Sequence, residues 1–309
     1  MTVPPPTPKS PLKAPASVPI AASFRIRSLT AAILDAVPTE SGTRAAAASP
    51  LLEPLRRDPE RAAILTDVDG TLAPIAARPE GAAVPAAATR ALERLAERYG
   101  LVGCVSGRRA EEARRLVGFD RLTYAGNHGL ELLLPGDQTP RLDPSLRGRE
   151  RDAAEFVAGL GAAALTETGL RLEDKGPIQA LHWRGAPDEP AAEARAEEIA
   201  AAAARAGLEP RRGRKVLELR PPGGGGKDAA VAALLSGSGI KAAVYAGDDR
   251  TDLDAFRRLR EMRERGDLET AVCVGVVSAE APVDLVGVSD LTVDGPAGWL
   301  AILESLAEA

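Results

Sequence analysis

The stretch that decides the predicted fold is "AILTDVDGTLAPI", residues 63–75. Its apolar beginning is typical of a buried strand, and two aspartates, Asp67 and Asp69, follow where that strand should end. Residues two positions apart in an extended chain point to the same side, so the two carboxylates should share one face. A turn or a helix cap explains a lone aspartate pair about as well as chemistry does, so the interpretation depends on the rest of the chain.

Apolar, strand-like runs alternate with amphipathic, helix-like segments around this stretch, from about residue 60 onward. The strand-like runs are "AAILTDV", "LVGCVSG", "LTYAG", "KAAVYAGDD" and "ETAVCVGV", and the helix-like segments are "ATRALERLAERYG", "AEEARRLVG" and "LDAFRRLREM". This alternation predicts an α/β fold whose core is a Rossmann-like, mostly parallel sheet. Ligands of such sheets gather at the carboxyl ends of the strands, where Asp67 is expected.

The middle of the chain has a different sequence pattern. Residues 130–215 combine the strand-like "LRLED" and "IQALHWR" with a long alanine-rich helix, and the strand-like "KVLELRP" closes the segment. We predict a smaller α/β cap domain at 130–215, inserted into a core domain of residues 51–129 and 216–309. Residues 1–50 are rich in proline and alanine and are predicted to be a disordered tail, with an organellar transit peptide as the alternative.

Composition and charge argue against several classes of protein. The formal net charge of −5 disfavours a nucleic-acid-binding protein, which needs a basic face. No uncharged apolar run approaches the roughly 20 residues of a membrane-spanning helix, so no membrane association is expected. Cys104 and Cys273 lie in separate apolar runs and are expected to be buried thiols in a reducing compartment. We therefore expect a cytoplasmic protein.

Three polar clusters follow apolar strands and should meet at one edge of the sheet. They begin at Asp67, Ser106 and Asp248. Asp67 can act as a carboxylate nucleophile and form an aspartyl-phosphate, while Asp69 protonates the leaving alcohol and later deprotonates water. Mg²⁺ prefers oxygen ligands, which Asp67, Asp248 and the backbone carbonyl of Asp69 would supply. The pattern therefore indicates phosphoryl transfer at a magnesium site.

Lys227 and the hydroxyl of Ser106 complete this hypothesis, because they can bind the remaining phosphate oxygens. Each element also has a structural explanation: Ser106 and Gly107 as a turn, Lys227 as a solvated loop lysine, and "GDDRTD" as an acidic helix start. Those structural explanations do not account for the order of the motifs along the chain. An acid pair is followed by a Ser-Gly, then by a lysine, and then by an acid cluster. The order favours a catalytic site.

This order, together with the wording "DVDGTL", resembles the haloacid dehalogenase-like phosphatases. The resemblance implies magnesium-dependent hydrolysis of a phosphate ester on a Rossmann-like core with an inserted cap. It implies metal-binding roles for Asp67, Asp69, Asp248, Asp249 and Asp252. It also implies phosphate-binding roles for Thr71, Ser106, Gly107, Arg108 and Lys227.

Five further phrases narrow the resemblance to the trehalose-6-phosphate phosphatase family: "SGR", "AGNHG", "LEDKGPIQALHWR", "LELRP" and "GDDRTDLDAF". The family implies hydrolysis of trehalose 6-phosphate to trehalose and phosphate, the last step of trehalose biosynthesis, with the sugar held by the cap. The implied substrate-binding residues are Asn127, His128, Glu173, Lys175, His182, Arg184 and Glu218. Polar positions that alternate along two short strands suit a surface for sugar hydroxyls.

The chain departs from the family pattern in three places. It reads "GGGGKDAA" where the family usually has Asp-Lys-Gly, so the role of Lys227 depends on its position. Leu253 replaces an acid after "GDDRTD", and the basic run "RRGRK" precedes "LELRP". The alternative functions are a phosphatase for another phosphosugar, of the mannosylglycerate or sucrose phosphate type, and a non-catalytic phosphosugar-binding relative. Association with a trehalose-phosphate synthase stays open.

Overall fold

An eight-stranded sheet forms the centre of the larger part of the protein. The computed structural model describes residues 46–76, 81–213 and 215–309. The strands of this sheet are β1 (Ala62–Thr66), β2 (Leu101–Val105), β3 (Thr123–Gly126), β4 (Glu131–Leu133), β5 (Arg141–Leu142), β10 (Ala242–Gly247), β11 (Thr270–Val277) and β12 (Leu291–Asp294). Their order is β12-β11-β10-β1-β2-β3-β4-β5, with parallel pairing from β12 to β3 and antiparallel pairing for β4 and β5. This arrangement confirms the predicted parallel α/β core.

Helices cover both faces of the large sheet. They are α1 (Glu53–Arg57), α2 (Ala86–Ala96), α3 (Ala110–Val117), α7 (Lys227–Leu235), α8 (Asp252–Glu264), α9 (Leu285–Val288) and α10 (Gly295–Glu308). Alternate residues of β1 point to opposite faces, so Ile64 packs with α2, α3 and α10 while Leu65 packs with α7 and α8. Every residue of β1 is buried for this reason, which explains its continuous apolar run.

The remaining strands of the described residues form a second, four-stranded antiparallel sheet. Its strands are β6 (Arg171–Asp174), β7 (Gln179–His182), β8 (Glu209–Gly213) and β9 (Val216–Arg220), in the order β6-β7-β9-β8. The helices α4 (Asp152–Leu160), α5 (Ala162–Glu167) and α6 (Glu189–Arg205) pack on one face, where Leu181, Leu217 and Leu219 are buried. The opposite face carries Glu173 and Glu218, so its character is polar.

The strand pairing puts the boundaries between core and cap at other residues than those predicted. The predicted cap began at residue 130, but β4 and β5 extend the large sheet as antiparallel strands beyond β3. The predicted cap ended at residue 215, but β9 pairs with β7 and β8 and belongs to the small sheet. The alternating apolar pattern of a strand does not show which sheet it joins, because neighbours are set by tertiary pairing. We use "cap" for residues 143–220 and "core" for the other described residues.

The chain between residues 46 and 50 packs on the core, so the predicted tail boundary at residue 50 is too late. Ala46 and Ala47 belong to the buried cluster beneath the sheet. The carbonyl of Ala47 accepts hydrogen bonds from Arg56 (2.6 Å) and from the Ser305 hydroxyl (3.1 Å). The predicted tail from 1 to 45 lies outside the described residues. Among the helices that the structure describes, none is long and apolar enough to cross a membrane.

Candidate active site

Three polar clusters meet at the carboxyl edge of the large sheet. Asp67 follows β1, Ser106 follows β2 and Asp248 follows β10, and these three strands are neighbours in the order β10-β1-β2. The backbone N–H of Asp67 donates to the carbonyl of Ala246 (2.9 Å), which continues the β1–β10 pairing up to the acid. The parallel register therefore places Asp67 beside Asp248, as ligand sites in open α/β sheets require.

Lys227 lies between two carboxylates in the interior of this site. Its ammonium is 2.7 Å from Asp252 Oδ1 and 3.0 Å from Asp67 Oδ1, and all three residues are buried. Burial by itself would lower the pKa of Lys227, but Asp252 and Asp67 raise it well above its usual value. Burial also raises the pKa of Asp67 well above its usual range, against the lowering effect of Lys227. Lys227 is the first residue of α7.

The carboxylate of Asp252 is saturated with donors from the protein. Oδ1 accepts from the Tyr245 hydroxyl (2.7 Å) and from Lys227, and Oδ2 accepts from the backbone N–H groups of Asp248 (3.1 Å) and Asp249 (3.0 Å). Four bonds leave this carboxylate little capacity for another partner. Asp252 therefore holds the loop at the end of β10 in place.

Asp249 has a similar structural task at the start of α8. Its Oδ1 accepts from the backbone N–H and the hydroxyl of Thr251 and from the N–H of Asp252. In contrast, the one hydrogen bond that we find to the Asp248 side chain within the described residues comes from the Thr71 hydroxyl, at 3.1 Å. Asp248 is thus the acid of this loop whose carboxylate oxygens accept the fewest hydrogen bonds from the described residues.

Carboxylate oxygens of Asp67, Asp248 and Asp252 lie within 4.8 Å of one another. Burial, and then the charge of Asp252, raise the pKa of Asp248 to about 7, which reflects negative charges crowded into a buried space. Such an all-oxygen, acidic donor set fits a hard divalent cation. Because Asp252 is already saturated, Asp67 and Asp248 are the carboxylates that could hold the ion.

Gly70 makes the close approach between these elements possible. Its φ of 84° lies in the left-handed region, and a Cβ added there would overlap the carboxylate of Asp248. The turn after Asp69 therefore packs directly against Asp248 because residue 70 has no side chain.

Arg108 binds Asp69 in the described structure. Its Nε and one terminal nitrogen donate to the two carboxylate oxygens of Asp69, both at 2.7 Å, and the other terminal nitrogen donates to Glu112 (2.9 Å). The pKa of Arg108 is raised, chiefly by the hydrogen bonds to Asp69. The structure thus brings the predicted phosphate-binding arginine to the predicted acid–base residue.

Ser106 and Gly107 shape the adjacent loop. Ser106 is buried, and its hydroxyl accepts from the backbone N–H of Arg108 (3.1 Å). A Cβ on Gly107 would lie 2.8 Å from the imidazole of His128, so this glycine lets the histidine pack against the loop. The backbone N–H of His128 donates to the carbonyl of Ser106 (2.9 Å).

Four of the predicted substrate-binding residues meet where the cap contacts the core. Asn127 Nδ2 donates to the backbone carbonyl of Lys175 (2.8 Å), and Lys175 Nζ is 3.0 Å from Glu218 Oε1. His128 Nε2 lies 3.6 Å from the other oxygen of Glu218, to which Arg220 also donates. We call Asn127, His128, Lys175 and Glu218 the junction cluster.

The electrostatics of the junction cluster keep the histidine neutral and the carboxylate charged. Burial lowers the pKa of His128 to about 4, with only partial opposition from Glu218. Burial by itself would raise the pKa of Glu218, but His128, Lys175 and Arg220 bring it well below its usual value. Glu218 therefore presents an ionised acceptor to the space between cap and core.

The other three predicted substrate-binding residues lie further out on the cap. His182 Nε2 is 2.6 Å from Glu173 Oε2, and Glu173 lies on the same sheet face as Glu218, two strands away. Arg184 follows β7, is exposed, and makes no hydrogen bond or ion pair with the other site residues in the described ranges. The structure therefore groups Glu173 with His182 and leaves Arg184 apart.

Two residues of the site were not predicted from the sequence. Arg220 is 3% exposed and binds Glu218, and the phrase "LELRP" already contained it. Tyr245 is fully buried and binds Asp252, and its signal was a single hydroxyl in the otherwise apolar run "AAVYAG". Polar groups placed within apolar runs were the usable signal in both cases.

Both connections between core and cap touch the same short segment of the core. The N–H of Asp143 donates to the carbonyl of Leu130 (2.9 Å), and the N–H of Gly226 donates to the carbonyl of His128 (2.6 Å). Leu130 also forms a small apolar cluster with Leu146 and Ile178, which lie in the cap. Among the described residues, these contacts between cap and core lie around residues 128–130.

Comparison with known proteins shows which protein family the chain is similar to. The chain matches the family model described as trehalose-phosphatase over residues 65–285. It is 37% identical over 214 residues to a trehalose-phosphate phosphatase of Mycobacterium avium, covering 64% of this chain but 51% of that protein. It is 32% identical over 250 residues to a probable trehalose-phosphate phosphatase of Sinorhizobium fredii, covering 78% and 89%.

A solved structure shows the same architecture. The protein described as trehalose-6-phosphate phosphatase related superposes with a TM-score of 0.62 at 26% identity, covering 80% of this chain and 97% of that one. The chain spans about half the length of the Mycobacterium avium relative and most of the length of the Sinorhizobium fredii relative. The similarity covers both the core motifs and the cap.

Proposed function

Since the chain belongs to the trehalose-phosphatase family, we propose that it hydrolyses trehalose 6-phosphate to trehalose and phosphate, as the last step of trehalose biosynthesis. The observation that carries the proposal is the contact of Lys227 with Asp67 at the carboxyl edge of the sheet, beside Asp248. A buried carboxylate with an ammonium 3.0 Å away suits nucleophilic attack on phosphorus, because the ammonium favours the ionised form against the effect of burial.

In the proposed reaction a carboxylate oxygen of Asp67 forms a bond to phosphorus. The ester P–O bond breaks, its electron pair moves to the sugar oxygen, and Asp69 gives that oxygen a proton. Asp69 then removes a proton from water, whose oxygen attacks phosphorus and releases phosphate from Asp67. Lys227 stabilises the negative charge on the phosphoryl oxygens in both steps.

Asp69 needs a proton for the first step. Both of its oxygens accept hydrogen bonds from Arg108 in the described structure, so the arginine engages the whole carboxylate. We therefore propose that the dianionic phosphate of the substrate draws Arg108 away from Asp69. This exchange would give Arg108 its phosphate-binding role, together with Ser106, and would free Asp69 for proton transfer.

The acidic set fits Mg²⁺, which when bound would offset the negative charge of the phosphate. Asp67, Asp248 and the backbone carbonyl of Asp69 are the groups that would hold it. Asp249 and Asp252, both also predicted as ligands, would act by fixing the loop that carries Asp248.

Sugar recognition is assigned to the cap. The junction cluster offers an ammonium, a carboxylate, an amide and a neutral imidazole, which together can donate to and accept from sugar hydroxyls. Glu173 and His182 extend the same polar face outward. We place the enzyme in the cytoplasm, because Cys104 and Cys273 are free and buried, as in proteins of reducing compartments.

A phosphate-release assay over a panel of phosphosugars tests the function. Trehalose 6-phosphate, sucrose 6-phosphate, mannosylglycerate phosphate and glucose 6-phosphate would each be offered with Mg²⁺ and with EDTA. We expect the highest kcat/KM for trehalose 6-phosphate, and activity only with Mg²⁺. A higher kcat/KM for another phosphosugar would overturn the assigned substrate, and no release from any would favour a binding protein.

A further inference from the structure

We propose that Tyr245 is a positioning residue that sets how Lys227 is shared between Asp252 and Asp67. The inference rests on the proposed function, because Lys227 and Asp67 are its phosphate-binding and nucleophilic groups. Tyr245 lies in the middle of β10, is completely buried, and makes an edge-to-face contact with Phe256, with ring centroids 6.0 Å apart. Its hydroxyl is the polar end of a side chain otherwise packed in the core.

The Tyr245 hydroxyl and the Lys227 ammonium share one acceptor atom. Both donate to Asp252 Oδ1, each at 2.7 Å, while Oδ2 is taken by two backbone N–H groups. The four donors fix the orientation of the Asp252 carboxylate. Tyr245 is therefore one of the groups that fix the position of Asp252 Oδ1, the nearest anionic partner of Lys227.

The position of the ammonium results from a competition among carboxylates. Asp252 and Asp67 are the nearest, and Asp249 Oδ1 lies further away, at 3.8 Å. Lys227 Nζ is 2.7 Å from Asp252 Oδ1 and 3.0 Å from Asp67 Oδ1. The hydrogen bond from Tyr245 withdraws negative charge from Asp252 Oδ1 and so weakens its attraction for the ammonium. Without that hydroxyl, Asp252 would hold Lys227 more strongly and Asp67 would lose part of its counter-charge.

The consequence for catalysis lies mainly in the transition state. Lys227 must orient Asp67 and accept the charge that develops on the phosphoryl oxygens, and both tasks depend on an ammonium held at a defined point. A misplaced ammonium lowers kcat more than it raises KM, because the lost interaction strengthens as the reaction proceeds. If Tyr245 were purely structural, its replacement would change the stability of the protein and leave kcat and KM unchanged.

Tyr245→Phe removes the hydroxyl and keeps the ring. We expect kcat to fall roughly tenfold, as for the loss of one hydrogen bond to a charged group, with KM changed less than twofold. The matched control is Tyr99→Phe, because the Tyr99 hydroxyl is also buried but donates to the carbonyl of Leu306 (3.2 Å), far from the site in the fold. The control should keep the wild-type kcat with a comparable change in Tm.

A double-mutant cycle with Asp252→Asn tests the route of the effect. If Tyr245 acts through Asp252, Tyr245→Phe should lower kcat less than twofold in the Asp252→Asn background. A full tenfold loss in that background, or a wild-type kcat for the single variant, would overturn the inference.

Two readouts separate this inference from the proposed function. Turnover of p-nitrophenyl phosphate reports on Asp67 and Lys227 even when the natural sugar is a different one, so a wrong substrate assignment leaves the test intact. A crystal structure of Tyr245→Phe, whatever its activity, should show Lys227 Nζ further than 3.0 Å from Asp67 Oδ1. An unchanged distance would contradict the proposed competition.

Discussion

Arg108 holds both carboxylate oxygens of Asp69 at 2.7 Å, so the arginine and the proposed acid–base residue form a bidentate ion pair across 39 positions of sequence. Asp69 is 40% exposed on its side chain and Arg108 is 12% exposed, so solvent reaches the pair mainly at Asp69. The pair is therefore accessible to an entering phosphate from that side.

Replacing Arg108 with alanine should impair both esters, because its proposed role is to bind the phosphate that both of them carry. A hydrogen bond to a charged group contributes roughly 1.5–3 kcal/mol, so kcat/KM for trehalose 6-phosphate and for p-nitrophenyl phosphate should each fall about 10- to 150-fold. Arg115→Ala, an exposed change in the helix that follows Arg108, is the control and should match wild type. A loss confined to trehalose 6-phosphate, whose leaving group needs a proton while p-nitrophenolate needs little protonation, would contradict the phosphate-binding role and would link Arg108 to Asp69 instead.

Asp67→Asn should abolish phosphate release while the protein stays folded. The amide cannot form the aspartyl-phosphate, but it keeps the shape of the carboxylate, and Lys227 retains Asp252 at 2.7 Å. Phosphate release and Tm would be measured side by side. Asp58→Asn, the same chemical change at a half-exposed position, should leave both unaltered. Turnover near wild type in Asp67→Asn would remove Asp67 as the nucleophile.

Asp248→Asn should lose the stabilisation that Mg²⁺ gives to the folded protein. A ligand at a hundredfold excess over its Kd raises the free energy of unfolding by roughly 2.7 kcal/mol, so the wild-type Tm should rise with Mg²⁺. The measurement is a thermal melt across a Mg²⁺ series. Asp249→Ala should lower Tm through the lost hydrogen bonds from the N–H groups of Thr251 and Asp252, and it should still respond to Mg²⁺. A normal response of Asp248→Asn would exclude Asp248 as a ligand.

Lys175→Ala and Glu218→Ala should impair sugar recognition selectively. A hydrogen bond lost to a sugar hydroxyl costs about 1–3 kcal/mol, so kcat/KM for trehalose 6-phosphate should fall roughly 5- to 150-fold. Turnover of p-nitrophenyl phosphate, which has no sugar, should change little. Arg184→Ala, exposed elsewhere on the cap, is the matched control. Parallel losses on both substrates would assign Lys175 and Glu218 to folding or chemistry instead.

His128 should make the protein less stable in acid. Its pKa falls from about 6.5 in the unfolded chain to about 4 in the folded protein, so the unfolded state binds more protons between those values. The free energy of unfolding should therefore decrease as pH falls from 6.5 to 4, by up to about 1.4 kcal/mol per pH unit from this group. The pKa of Glu218 acts in the same direction, but below its ordinary value of 4.5.

Urea unfolding at pH 7, 6 and 5 measures this contribution. His128→Asn cannot gain the proton, so the difference in stability between wild type and variant should shift in favour of the variant as pH falls. An identical pH slope for both proteins would show that His128 does not carry the effect.

The strand ends of the site could be predicted because they depend on local patterns. A buried strand needs a continuous apolar run, and the first polar residue after it, such as Asp67 or Ser106, marks its end. The parallel order then brought those ends together. Periodicity and strand order were sufficient for this part of the site.

Pairings between distant residues could not be predicted in the same way. The contact of Arg108 with Asp69 depends on how two loops pack. The sequence predicted a phosphate-binding role for Arg108 but not its hydrogen bonds to Asp69. β9 joins the small sheet because of its neighbours β7 and β8, which the pattern "VLELR" does not encode. Tyr245 carries a polar bond inside an apolar strand, where periodicity treats it as core.

The contacts between cap and core around residues 127–130 have a consequence for the timing of the proposed reaction. Among the described residues, Leu130 packs with Leu146 and Ile178 of the cap, and Asn127 donates to the carbonyl of Lys175. We expect a cap attached over so small an area to turn about it as one body, while its own sheet and the core sheet stay intact. Where product release needs such a turn, a substitution in the cap that makes the turn easier should speed release even if it slows bond cleavage.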